Sequence, residues 1–348
     1  MRAMLLERLG PITEANPPLV PAQRPDPVAG QGQILIKVTA CGVCHTELDE
    51  IEGRTPPPRL PVIPGHEVVG RVAQSGPGAF RFRVGDRVGV GWLWSACGQC
   101  SFCRRGLENL CTDFKATGRD ANGGYAEWLV VPEASAYLLP DRYADAAAAP
   151  LLCAGAVGYR SLRLTGIQNG QTLGLTGFGA SGHLVLKMVR HLFPDSTVFV
   201  FARSEAQQTF AMELGAAWAG DTEQAPPQLL DAIIDTTPVW RPVIAALAAL
   251  APGGRLVINA IRKENRDRNL MAGIDYPAHL WMEKEIKSVA NVTRRDLEEF
   301  LELAGEVDLT PEVQIFPLED ANQALIELTR RQIRGAKVLQ IDRGLGGA

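Results

Sequence analysis

Four cysteines crowd into fifteen residues, Cys97, Cys100, Cys103 and Cys111, spaced C-x2-C-x2-C-x7-C. No other feature restricts the fold as tightly, because sulfurs held this close are set to share one tetrahedral ion. Zn–S bonds of about 2.3 Å demand short, turn-rich connections, and Gly98 and Gly106 supply them. Four protein ligands leave no coordination position open, so this zinc is structural. Its thiolate charge is expected to be offset by backbone N–H groups and by Arg104 and Arg105. An iron–sulfur cluster takes the same ligand type, but the close packing of the four favours zinc. The chain holds seven cysteines, and an odd count in 348 residues argues against a disulfide framework. Thiolates on metal in a reducing cytoplasm fit better.

Length allows about two domains. The first 150 residues carry short β-branched runs punctuated by Gly and Pro. Strands are expected over Ile34–Val38, Glu67–Val72, Asp86–Val90 and Ala126–Val131, in an all-β domain. Beyond Pro150 the texture changes. Strands at Thr172–Thr176, Val198–Phe201, Ala232–Asp235 and Arg255–Asn259 alternate with helices at Ala156–Leu164, His183–Phe193, Glu205–Leu214 and Arg241–Leu250. That alternation predicts an α/β region with a doubly wound parallel sheet. Helices over Asp296–Gly305 and Leu318–Arg331 and a strand over Lys337–Ile341 follow. The charged run Arg262–Arg268 reads as a solvated loop.

Charge excludes some functions. Lys+Arg 35 against Asp+Glu 39 leave −4, which lacks the phosphate-neutralising surface that nucleic acid requires. Hydrophobic residues at 46% fit a packed domain rather than disorder. No apolar run reaches the roughly 18 residues of a bilayer span. The charged segment Met1–Arg8 does not read as a signal peptide.

Gly177-Phe178-Gly179-Ala180-Ser181-Gly182 is a G-x-G-x-x-G between an apolar strand and a helix. In that context it places a pyrophosphate over a helix N-terminus, with Gly177, Gly179 and Gly182 contacting a dinucleotide. The residue that reads the adenosine ribose belongs at the end of the next strand, where an acid would select NAD. Here Ala202-Arg203-Ser204 stands instead. Arg203 and Ser204 favour a 2′-phosphate, hence NADP, with NAD as the alternative.

Cys44, His66 and Cys153 also have ligand character, but sequence distance alone does not join them. Their contexts are Cys41-Gly-Val-Cys44-His45-Thr46-Glu47, Pro64-Gly65-His66-Glu67 and Pro150-Leu-Leu-Cys153. With the cysteine lobe, Gly123-Gly124-Tyr125-Ala126-Glu127 and the glycine turn, these segments resemble the medium-chain, zinc-dependent alcohol dehydrogenases over nearly the whole chain. The resemblance implies a GroES-like β catalytic domain, residues 1–154 and 298–348, and a Rossmann dinucleotide-binding domain, residues 155–297. It implies that Cys44, His66 and Cys153 hold a second, catalytic zinc, giving two per chain. Two thiolates and an imidazole cancel the metal's charge and leave one position for an alcohol oxygen, whose pKa the ion lowers. Glu67 is implied behind the metal. Glu47 stands where the family usually has Asp bonding the ligand histidine; its arm is one methylene longer, and the sequence leaves that contact open. Cys41 reads as a small residue at a strand end.

The same resemblance gives Thr46 the alcohol proton to accept, and His45 a contact with the coenzyme pyrophosphate. A family histidine that passes the proton to solvent is replaced here by Asp49, so the relay ends on Asp49, on water or on another group. Trp92, Leu93 and Trp94 match the substrate channel, which two indoles would make apolar and narrow. Val292 and Thr293 match a stretch that closes over the nicotinamide. His183, His191 and His279 read as structural. The 41 residues between Cys111 and Cys153 leave no room for the insertion of dimeric relatives, so a homotetramer is implied, with a dimer as the alternative. The expected activity is hydride transfer between a small alcohol and a nicotinamide coenzyme. The alternatives are an aldehyde or enone reductase of the same superfamily and a zinc-stabilised relative without catalysis.

Overall fold

The computed structural model describes residues 1–330 and 335–342, in two compact units. One runs from Met1 to Cys153 and resumes at Thr293; the other is Ala154–Val292.

The first unit is built on the strand Gln33–Val43, whose alternate side chains Ile34, Ile36, Val38 and Ala40 are buried. It pairs antiparallel with Val68–Ser75, Trp128–Pro132 and Ala336–Gln340. The sheet continues through Arg87–Val90 and Ala136–Leu138 on one side and Val313–Pro317 on the other. Bulges between Leu35 and Ile36 and between Val38 and Ala40 bend the central strand. Its end runs straight into Cys44, which caps the helix His45–Ile51. The cysteine lobe is closed at its base by the short antiparallel pair Leu93–Ser95 and Lys115–Ala116, and the 3-10 turns Cys103–Arg105 and Glu108–Leu110 fold it between them. The helix Arg294–Glu306 starts at a capping box, in which Thr293 and Asp296 satisfy each other's backbone donors.

The second unit holds a six-stranded, all-parallel sheet. Across it lie Trp218–Gly220, Thr197–Phe201, Thr172–Thr176, Leu230–Asp235, Leu250–Ile258 and Glu285–Ser288. Taken in chain order this is 3-2-1-4-5-6, the doubly wound arrangement, with its switch between Thr172–Thr176 and Leu230–Asp235. Every residue of Thr172–Thr176 is buried, as expected where helices cover both faces. The helices Ala154–Thr165 and Ala180–Leu192 approach closely at Gly158, where a Cβ would stand 2.9 Å from a Val185 methyl.

Several elements differ from the sequence expectation, each for a physical reason. His45–Ile51 is helical because Cys44 and Glu47 cap it, although seven residues give no visible periodicity. Glu285–Ser288 pairs on one side only and is exposed throughout, so it carries no apolar alternation. The stretch expected as one helix over Leu318–Arg331 is a 3-10 turn, Leu318–Asp320, then the helix Ala321–Thr329; Arg331 lies outside the described residues. The run Arg262–Arg268 is not simply solvated, since the Lys263 side chain is 7% exposed and bonded to the fully buried Asp235. Among the described residues no helix is long and apolar enough to cross a membrane.

Tyr143 ties the end of the helix Arg294–Glu306 to the segment before it. Its hydroxyl lies 2.7 Å from the Ala304 carbonyl and 2.8 Å from that of Val307, and accepts from the Leu309 amide at 3.1 Å. Tyr143→Phe leaves these groups unpaired and is expected to cost about 1–3 kcal/mol, read as a lower denaturation midpoint with an unchanged m-value.

Candidate active site

Cys44, His66, Glu67 and Cys153 each present one ligand atom, and these atoms lie within 4.8 Å of one another. The fold gathers them from three turns. Cys44 follows the central strand, His66 and Glu67 precede Val68–Ser75, and Cys153 caps the 3-10 turn Ala149–Leu152. Two glycines make the room. A Cβ at Gly42 would fall 1.8 Å from Oε2 of Glu67. Gly65 holds φ +99°, and a Cβ there would meet the Tyr125 ring at 2.4 Å and the Cys41 sulfur at 2.8 Å. Cys41 is thus a packing residue behind the site, and burial pushes its thiol well above the usual range.

The His66 ring is 1% exposed. Its Nδ1 stands 2.5 Å from Oε1 of Glu47, while its Nε2 is buried with no hydrogen-bond partner. A carboxylate on Nδ1 fixes the tautomer that leaves an Nε2 lone pair for a metal. The longer arm of Glu47 is what lets it do two things at once, because Oε2 accepts the Cys44 amide at 2.8 Å. The Cys44 and Cys153 sulfurs are 3.9 Å apart. Cys153 and His66 hold the Cys44 thiol well below its usual range, while the thiolate of Cys44, with burial, pushes Cys153 well above it. Burial, then Cys44, raises Glu67. Burial alone would lower His66, yet Glu47 and Cys44 raise it. The negative charges of Cys44, Cys153 and Glu67 thus oppose one another's ionisation, a conflict that a divalent cation resolves. The donor set fits zinc: two soft sulfurs, one nitrogen, and a hard oxygen in reserve.

Thr46 is half-buried, with Oγ1 3.5 Å from the Cys44 sulfur, while His45 is exposed. Asp49 is engaged by the Arg54 guanidinium. On the same helix Glu50 is buried, and Trp92 donates its indole N–H to Oε1 at 3.4 Å. Arg119 lies over the Trp92 ring at 5.2 Å and Phe114 packs on it at 5.1 Å. Leu93 is buried, and Trp94 packs on the apolar core of the unit. Trp94 also lines a separate cavity of about 290 Å³ with Met1, Arg59 and Trp128.

Cys97, Cys100, Cys103 and Cys111 form a second cluster, their sulfurs likewise within 4.8 Å of one another. Backbone amides do the work expected of Arg104 and Arg105: those of Cys97, Cys100, Cys103 and Asp113 donate to the sulfurs at 3.4–3.5 Å. Arg105 instead bonds the Ser101 carbonyl and lies over Phe102. The Gln99 and Cys100 amides hold Cys97 below the usual thiol range, and the Cys103 amide holds Cys100 at about 6. Burial and the adjoining sulfurs push Cys103 up to about 12, so these thiols too cannot all ionise without a cation.

In the second unit Gly177 takes φ +81°. Gly179 caps the helix Ala180–Leu192 and nothing lies within 4 Å of where its Cβ would be. A Cβ at Gly182 would meet the Gly177 carbonyl at 2.8 Å. Turn, open approach and close packing are the three separate demands of a pyrophosphate loop. The first turn of the helix carries no acid to repel an anion. Arg203 and Ser204 are exposed just beyond Thr197–Phe201. Val292 is 3% exposed, and Thr293 is occupied as a helix cap. His183 Nδ1 lies 3.0 Å from the Gly179 carbonyl and His279 Nδ1 accepts from the Asp275 amide at 2.9 Å, while His191 sits in the last turn of Ala180–Leu192. Sequence reasoning missed Gly42 and Glu50; the only signal for either was its nearness to Cys44.

Residues 30–141 match the alcohol dehydrogenase GroES-like domain. A probable alcohol dehydrogenase, AdhA, of Mycobacterium tuberculosis is 42% identical over 98% of this chain and 97% of its own. An alcohol dehydrogenase of Geobacillus stearothermophilus is 31% identical over 95% and 98%. Among solved structures, a cinnamyl alcohol dehydrogenase of Sorghum bicolor superposes with a TM-score of 0.83 at 28% identity, covering 97% of each chain.

Burial, then the Glu47 carboxylate, pushes Glu50 up from 4.5 to about 8, against the opposing influence of His66, Trp92 and Arg119. Between those values the folded chain keeps a proton that the unfolded chain has lost, so this group makes stability fall as pH rises from about 4.5 to about 8. In the zinc-stripped protein Glu50→Gln is expected to flatten that part of the Tm–pH curve and to raise Tm above the parent's at pH values beyond 8. An unchanged slope would show that Glu50 titrates normally.

Proposed function

This chain belongs to the medium-chain alcohol dehydrogenase family, and from that premise we propose a two-zinc enzyme that moves a hydride between a small alcohol and NADP, running equally from the aldehyde or ketone. The observation that carries the reading is the convergence of Cys44, His66, Glu67 and Cys153, from positions 109 residues apart, around an Nε2 that has no other partner.

When bound, zinc supplies a Lewis acid and the nicotinamide a hydride acceptor. Cys44 and Cys153 offset the metal's charge, and His66 completes a three-residue set that leaves a position for substrate. Glu47 keeps the His66 ring oriented. Glu67, held in the niche that Gly42 leaves, provides a reserve oxygen behind the sulfurs. The Thr46 hydroxyl would accept the alcohol proton and pass its own on toward water, as the C–H hydride leaves for the nicotinamide. Trp92 forms a fixed wall of the apolar channel; Leu93, which is buried, and Trp94, which packs on the core and lines a separate cavity, are packing residues instead.

Cys97, Cys100, Cys103 and Cys111 hold the second zinc, closed and structural. Gly177, Gly179 and Gly182 take the pyrophosphate, Val292 contributes to the nicotinamide side, and Arg203 and Ser204 take the 2′-phosphate of NADP. Six cysteines committed to zinc as thiolates suit a reducing compartment, and the enzyme is read as cytoplasmic. The exposed strand Glu285–Ser288 and the exposed Tyr276, Trp281 and Ile286 support a homo-oligomer, read as a tetramer.

Metal analysis of the purified protein is expected to give about two zinc per chain, and Cys44→Ser about one, with the fold retained and activity below a few per cent. Two zinc in the variant, or activity kept, removes Cys44 from the ligand set. Arg203→Ala is expected to raise KM for NADP by about tenfold while leaving NAD within about twofold. Equal changes for both coenzymes reject the NADP preference.

A further inference from the structure

The second unit contains a buried ion pair that no role so far uses. Asp235 ends the strand Leu230–Asp235 and is fully buried; its register partner is Thr176, the residue before Gly177. The carboxylate therefore stands at the carboxyl ends of the two central strands, where the strand order reverses and an open parallel sheet takes its ligand. A buried charge at such a place must be compensated. Oδ1 of Asp235 accepts from the hydroxyls of Thr176 at 2.9 Å and Thr237 at 2.7 Å, and from the Thr237 amide at 3.2 Å. Oδ2 accepts from Nζ of Lys263. That ammonium gives its remaining protons to the carbonyls of Thr237 at 2.7 Å and Val239 at 3.2 Å.

The four residues Thr236 to Val239 are thus gripped by one anion and one cation together. Their other edge leans on the glycine turn. Thr236 donates its hydroxyl to the Thr176 carbonyl at 3.1 Å, and a Cβ at Gly177 would approach that hydroxyl to 2.8 Å. Asp267 then accepts the amides of Trp240 at 3.0 Å and Arg241 at 2.9 Å, seating the next helix. Lys263 and Asp267 are how a charged run that looks solvated comes to be folded back over this segment.

We propose that Asp235 and Lys263 are positioning residues for coenzyme binding, holding Thr236–Val239 as a preset wall of the crevice that opens at the Gly177–Gly182 turn. The proposal rests on the dinucleotide reading of that turn. Neither residue touches the coenzyme; they act through the segment between them. A wall ordered in advance removes an ordering cost from binding, and its loss falls on affinity more than on the chemical step.

The test compares the parent enzyme with Lys263→Met, Asp235→Asn/Lys263→Met and Thr237→Val. Calorimetric Kd values for NADP and NAD are set beside KM and kcat with a simple alcohol. Lys263→Met is expected to raise the Kd of whichever coenzyme the parent binds by about tenfold, with kcat at saturating coenzyme falling by less than about threefold. The double variant, which leaves no orphaned charge, is expected to regain part of that affinity. Thr237→Val deletes one hydroxyl with the shape kept, so it reports even where Lys263→Met fails to fold; about threefold weaker binding is expected. Parent-like Kd values in Thr237→Val and in any folded Lys263 variant overturn the proposal. So does a loss shared equally by Kd and kcat, which marks general damage. A parent that binds neither coenzyme brings down the reading of the glycine turn itself, and this proposal with it.

Discussion

The first unit buries more potential negative charge at one spot than protein dipoles alone can balance. Cys44, Cys153, Glu47, Glu50 and Glu67 surround a single imidazole, and the arginines nearby, Arg54 and Arg119, are engaged by Asp49 and Asp120. Removing charge from water is costly unless an opposite charge meets it inside. The opposed directions of Cys44 and Cys153, and the raised carboxyls of Glu50 and Glu67, are symptoms of that shortage. A dication would relieve all of them together.

The scaffold prepares for that ion by leaving things out. Gly42 and Gly65 contribute space, and a methyl at either would collide with a side chain the site needs. Capping does the rest. The Cys44 sulfur accepts the Thr46 amide, and Glu47 closes the box while it orients His66, so one helix start fixes the proposed ligand Cys44, the proposed proton acceptor Thr46 and the carboxylate that orients His66. The same economy appears in the second unit, where three glycines answer three different geometric demands within six residues.

How much of this could be read in advance follows range and burial. Thr172–Thr176 was legible to the residue because an apolar run between turn signals has one interpretation. The cysteine lobe was legible because its ligands are local. The set of Cys44, His66 and Cys153 was not legible from spacing, and came only through the resemblance of three separated segments. Glu47 could not be decided from its arm length, since its reach depends on the helix that Cys44 starts. Glu285–Ser288 has no apolar face to betray it. Lys263 was misread because hydropathy treats a lysine as a surface residue, whereas its partner Asp235 lies 28 positions away on a buried strand end.

The two cysteine-containing sets also differ in what assembles them. All four ligands of the lobe come from Cys97–Cys111, a segment with no strand between its sulfurs and little apolar burial, so closing it draws on the ion. The other set is held by a seven-stranded sheet, a helix cap and two glycine niches, which fix its donors through contacts that do not involve metal. A site prepared by its scaffold can keep a ligand position free for substrate, because the protein does not need every coordination bond to hold its shape. A site that shapes its own loop cannot spare one. The proposed division between a closed and an open zinc position thus follows from where each set gets its rigidity.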